Sequence, residues 1–137
     1  MHMETFAGMS QPIVYVDTSE VRDGRLKELK AAMDDLTEFV EANEPRLLAY
    51  NVYFSDDGAR MTVLHINPDS ASLEFHMKVA GARILEGHPL LETVESINVF
   101  GTPTEGFREM NTQMAVPGVA VNVKPRHLGG FTRLAAG

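Results

Sequence analysis

The sequence predicts an α+β subunit: a four-stranded sheet built in the order β-α-β-β-α-β, with a short helix and strand added at the C-terminal end. Three observations carry this. Two segments repeat apolar residues at three- and four-residue steps, several short runs are rich in β-branched and aromatic residues, and an Asp-Asp-Gly turn joins two of those runs directly.

The first strand is "PIVYVDT", residues 12–18. A helix follows in which Leu26, Leu29, Met33, Leu36 and Val40 form one apolar stripe between Lys, Asp and Glu. "RDG" precedes it, and "ANEP" ends it because Pro45 disfavours helical backbone in the residue before it. Next comes a hairpin, "RLLAYNVYFSDDGARMTVLHINP", turning at Asp56-Asp57-Gly58. Read as a three-residue loop pairing Ser55 with Ala59, it groups Leu48, Tyr50, Val52 and Phe54 with Thr62, Leu64 and Ile66. The other face then holds Leu47, Asn51 and Tyr53 with Met61, Val63 and His65. A two-residue turn on Asp57-Gly58 would instead put Tyr50 on the face of His65, since a one-residue slip inverts every side chain.

The second helix opens at Asp69 or Ser70, both good capping residues, and runs to about Leu85. "ETVESINVFGTP" is a fourth strand, "TEGFREMNTQM" a short helix capped by Thr104, and "GVAVNVKP" a fifth strand. The 137 residues make a single domain, with a core over 12–101 and an extension over 102–137. The lead-in "MHMETFAGMSQ" has neither a basic start nor an apolar block, so it does not read as a signal peptide.

Composition removes several classes of function. The chain has no cysteine, which excludes disulfides and thiolate chemistry and fits a cytoplasmic protein. A net charge of −7 opposes nucleic-acid binding, and no apolar run reaches the roughly 20 residues of a membrane span. No histidine has a histidine or acid partner one turn away on a common face, so no metal is expected. Neither a GxSxG nucleophile motif nor a glycine-rich phosphate loop is present.

The element order is the ferredoxin-like arrangement, whose helices cover one sheet face and leave the other bare. In so short a chain a second copy is the economical cover, and the face assigned Leu47, Met61 and Val63 is apolar enough to want it. The expectation is a homodimer packed sheet to sheet.

Residues 47–77, "LLAYNVYFSDDGARMTVLHINPDSASLEFHM", add a family signal. A tyrosine-bearing strand, a hairpin, a strand and then a helix with a histidine one turn in resemble the antibiotic biosynthesis monooxygenase-like proteins of the dimeric α/β-barrel superfamily. The resemblance implies a cleft between sheet and helices for a small planar aromatic or quinone-like molecule. It further implies oxidation of such a substrate by molecular oxygen without any cofactor.

Within "SASLEFHMKVAG", His76 shares the stripe Leu73, His76, Met77, Ala80 and Ile84 and so points toward the sheet. An imidazole in a half-dry cleft can take a proton from a phenol or quinol, and its ordinary pKa near 6.5 suits that work. His76 is therefore the expected base and Tyr50 its orienting partner, with Phe54, Thr62, Met77 and Leu73 around the substrate. The competing reading is a core histidine in a non-catalytic ligand-binding or structural dimer, which the absence of tryptophan favours. His65, with Asn51 and Tyr53, is expected to form a polar patch facing the partner copy and is a secondary site candidate. His88 is expected in solvent, and His127 lies in the tail.

Overall fold

The computed structural model describes residues 12–114, 119 and 121–133. The expected N-terminal lead-in, residues 1–11, lies outside them. Five strands, β1 (Ile13–Val21), β2 (Ala49–Phe54), β3 (Arg60–Asn67), β4 (Leu91–Phe100) and β5 (Val121–Lys124), form one sheet in the order β2-β3-β1-β4-β5. All neighbours are antiparallel except β4 and β5, which run parallel. Helices α1 (Leu26–Asn43), α2 (Ser70–Gly87) and α3 (Glu105–Met114) complete the chain, with a 3-10 turn at His88–Leu90. The ferredoxin-like core with its appended helix and strand is therefore present, and β5 extends the sheet beyond β4.

The hairpin register differs from the three-residue loop expected. Ser55 and Arg60 close the loop: Ser55 N–H donates to the Arg60 carbonyl at 3.0 Å, and Arg60 N–H donates to Ser55 Oγ at 3.0 Å. Asp57 Oδ1 meanwhile accepts from Ser55 Oγ at 2.8 Å and from Ala59 N–H at 2.9 Å. These side-chain bonds hold Ala59 inside the loop, with Gly58 taking the left-handed backbone (φ +72°) that the turn needs. The pairing is Tyr50 with His65, Val52 with Val63 and Phe54 with Met61.

That one-residue change corrects both face assignments. Tyr50, Met61, Val63, His65 and Asn67 lie under the helices, together with Ile13, Tyr15, Asp17, Ser19 and Val21 of β1. Thr62 turns to the opposite face, where its hydroxyl lies 2.9 Å from that of Thr18. The bare face is thus made not by Met61 and Val63 but by Val14, Val16, Leu64 and Ile66, all half-buried, with Asn98 paired to Asn122 alongside.

The core forms in patches around a polar middle. Ile13, Tyr15, Leu73, Met77, Val99 and Phe107 pack at one end of the sheet. Val21, Leu29, Met61 and Val63 pack at the other, while Leu36, Val40 and Ala80 join α1 to α2. Burying side chains of this size stabilises by about 1.5–3 kcal/mol each. Phe107 is available because Thr104 caps α3, its Oγ1 accepting from Phe107 N–H at 3.3 Å, while Thr104 N–H donates to Ser70 Oγ at 2.7 Å. Asp69 caps α2 in the same way, accepting from Ser72 N–H at 2.8 Å. The extension is therefore tied to the start of the helix that carries His76.

Candidate functional site

Between the patches lies a cavity of about 120 Å³. It is far larger than the 10–15 Å³ or so that holds one water. Its walls are mostly apolar, including Leu29, Met33, Leu36, Met61 and Met77, and its polar groups are Tyr15, Asp17, Ser19, Tyr50, His65 and His76, with Arg83 and His88 beside them. Parity puts the strand residues there: the odd positions of β1 and β3 and the even positions of β2 face the helices.

His76 is 1% exposed, and its Nδ1 lies 2.9 Å from both carboxylate oxygens of Glu44, itself 4% exposed. Glu44 is the residue at which α1 ends, immediately before Pro45. An acid is electrostatically disfavoured at a helix C-terminus. Here its side chain turns inward and fixes the imidazole ring. Among the described residues Nε2 of His76 has no hydrogen-bond partner, and it borders the cavity. A base held this way presents one nitrogen in one orientation.

His65 packs against it at a ring-centroid distance of 4.5 Å. Tyr15 stacks on the far side of His65, also at 4.5 Å, and Tyr50 lies 5.6 Å from His76 and 5.8 Å from His65. Nδ1 of His65 is 2.9 Å from Asn67 Nδ2, which assigns Nδ1 as the acceptor and leaves the proton on Nε2. Burial, and then the electrostatic effect of neighbouring His76, hold the His65 pKa well below its ordinary value, so His65 is neutral. Tyr15 and Tyr50 are pushed up, first by burial and then by the nearby Asp17 carboxyl, and stay protonated. Burial raises Asp17 from 3.8 to about 7, against a smaller opposing effect of a hydrogen bond from the Val63 backbone.

The structure thus brings His76, Tyr50, Met77 and His65 to one cavity and separates the other expected residues. Leu73 is fully buried in the adjoining core patch. Phe54 lies in a separate shallow depression, with Lys30 Nζ 5.6 Å from its ring. Thr62, Asn51 and Tyr53 are on the bare face, Tyr53 being 57% exposed. His65 is a cavity residue and not an interface residue, because of the register. His88 is half-buried and lines the cavity where it was expected in solvent, and burial lowers its pKa. His127 is exposed.

Sequence reasoning missed Glu44, Asp17 and Tyr15. Their signals existed: an acid directly before a helix-ending proline, and an acid in an apolar strand at the parity of Ile13 and Tyr15. Among the described residues no group of three acid or histidine side chains is placed to hold a metal ion, and no helix is long and apolar enough to cross a membrane.

No family model and no curated protein sequence matches the chain. Solved structures do. MupZ from Pseudomonas fluorescens superposes with a TM-score of 0.71 at 19% identity, covering 91% of both chains, a share that residues 1–101 alone do not reach. A Caulobacter crescentus protein provisionally described as an antibiotic biosynthesis monooxygenase gives 0.57 at 22% identity, over 72% of this chain and 93% of that one. A Chloroflexus aurantiacus protein with the same provisional description gives 0.56 at 13% identity, over 69% and 94%. The chain has the fold of these solved structures, two of which are provisionally described as antibiotic biosynthesis monooxygenases. At these identities the likeness establishes the fold alone.

Proposed function

We propose that this chain is a cofactor-independent monooxygenase acting on a small planar phenol, quinol or related aromatic ketone. The observation that carries the reading is His76: an imidazole locked by Glu44, with its free nitrogen on a mostly apolar cavity. Nε2 takes a proton from the substrate, and the resulting carbanion or phenolate is electron-rich enough to reduce oxygen itself. For a ring CH₂, one oxygen atom enters as C=O and the other leaves as water, so the substrate supplies all the electrons. The protein contributes a base, exclusion of water and orientation. Tyr50, beside His76 and protonated, donates to a substrate oxygen. We further propose that two copies pack through the face bearing Val14, Val16, Leu64 and Ile66.

Anthrone, which carries such a CH₂, tests the reaction. The protein should raise oxygen uptake above the buffer rate and yield anthraquinone, and His76→Ala should lower that rate by about 10²-fold or more. Uptake unchanged in His76→Ala would remove His76 from the role. Binding of anthrone with no uptake in either protein would leave a non-catalytic binding protein.

A further inference from the structure

His65 is a second imidazole on the cavity wall, and the proton abstraction above makes no use of it. Its place in β3 fixes where its nitrogens point. The helix-facing side chains of that strand run Met61, Val63, His65, Asn67. Met61 and Val63 line the cavity, whereas Asn67 does not and is fully buried beyond it. Nδ1 of His65 reaches Asn67 Nδ2 at 2.9 Å, on the side away from the cavity. The two nitrogens of an imidazole diverge widely, so Nε2 is turned toward Val63, Met61 and the cavity. It has no hydrogen-bond partner among the described residues and is not sealed in packed protein. The ring itself is held between two others, Tyr15 on one side at 4.5 Å and 18° and Tyr50 on the other at 5.8 Å and 20°. His76 is built the same way with the opposite polarity. Glu44 takes the Nδ1 proton of His76 and leaves Nε2 a lone pair, while the Asn67 amide occupies Nδ1 of His65 and leaves Nε2 a proton. The rings are 4.5 Å apart and tilted by 50°, so the cavity is offered one nitrogen acceptor and one N–H donor side by side.

We infer that His65 is a second catalytic residue: its Nε2–H donates to the substrate oxygen whose proton His76 Nε2 accepts. A hydroxyl suits the pair because it gives one hydrogen and keeps lone pairs on the same atom. The O–H bond breaks, the proton passes to His76, the electron pair stays on oxygen, and both rings then donate to the anion. Arg83, the one arginine or lysine lining the cavity, is exposed, with its guanidinium 3.9 Å from the centre of the Phe39 ring. The new negative charge therefore meets no buried arginine or lysine and depends on preplaced N–H and O–H donors. Of these, the Tyr50 hydroxyl hydrogen turns about its C–O bond, whereas the His65 N–H is fixed by the stack on Tyr15. A donor fixed before the charge appears stabilises the transition state without reorganising.

The inference rests on the cleft and base of the proposed function but is tested without oxygen chemistry. Nitrogen-15 NMR of the histidine-labelled whole chain should show His65 neutral with its proton on Nε2. The probe for binding is 4-nitrophenol, whose anion is yellow and whose neutral form is nearly colourless. Somewhat below the pKa of the free probe, the bound probe should absorb as the phenolate. His65→Phe keeps a flat ring between the tyrosines and has no N–H, so its preference for phenolate over phenol should fall about tenfold or more. His65→Gln returns an amide N–H near the place of Nε2 and should recover most of that preference. A proton on Nδ1, a bound probe with the spectrum of the free one, or no binding would each overturn the inference. Equal loss of both probe forms in His65→Phe, with no recovery in His65→Gln, would make His65 a purely structural residue and overturn it as well. The oxygen chemistry stands or falls separately, on anthrone uptake in wild type and His76→Ala.

Discussion

Asp17→Asn should change how the stability of the protein depends on pH, with no ligand present. Asp17 has its pKa raised from 3.8 to about 7 on folding, so between those values the folded state binds a proton that the unfolded chain releases. Its contribution is therefore fully present below about pH 4 and is lost as pH rises to about 7, above which it is constant. Between pH 5 and pH 8 the loss spans about two pH units of unequal protonation, which at about 1.4 kcal/mol per unit sets a ceiling on the order of 2.7 kcal/mol. The carboxyl borders an open cavity and water screens part of this, so roughly 1–2 kcal/mol is expected. Neutral His65 works in the opposite direction: its depressed pKa gives stability present above about pH 6.5 and lost in acid. Because His65 is common to both proteins, the comparison cancels it. Urea unfolding at pH 5 and pH 8, at one fixed protein concentration, measures the effect. Asp17→Asn should gain that amount on wild type between pH 5 and pH 8. A wild-type-minus-variant difference that is the same at both pH values would show that Asp17 ionises normally, and the neutral-acid reasoning would fail.

Glu44→Ala leaves a buried imidazole with no partner and should cost about 3–5 kcal/mol in urea unfolding, whereas Glu44→Gln keeps an acceptor for Nδ1 and should cost less than half of that. Equal, small losses would mean that the pair does not hold the ring. Phe107→Ala empties a fully buried site where α3 meets the sheet, for an expected loss of about 3–5 kcal/mol; a loss below about 1 kcal/mol would show α3 to be peripheral. Leu64→Lys places a charge on the bare sheet face, and light scattering should report a dimer for wild type and a monomer for the variant. A wild-type monomer would refute the proposed sheet-to-sheet assembly.

Much of the fold was legible because periodicity is a local property. The stripe of Leu26, Leu29, Met33, Leu36 and Val40, the caps at Asp69 and Thr104, and the β-branched runs each declare an element without reference to the rest of the chain. The same logic placed His76 on the buried face of α2, and the structure buries it. The hairpin was less legible. Its register depends on whether the side chains of Ser55 and Asp57 capture Ala59 and Arg60, and their composition suits two loop lengths equally. One residue of slip moved His65 into the cavity and Thr62 out of it.

The sequence by itself determined the elements, their order and the inward direction of His76, because apolar spacing alone decides which side of a helix or strand seeks burial. Only the tertiary structure decided what that histidine meets. Glu44 lies 32 residues away from it in the chain, and Asp17 becomes a poor acid only because strands and helices from distant segments exclude water around it. Partnership and desolvation are properties of the assembled interior, set when separate faces close on one another, and no local pattern encodes them.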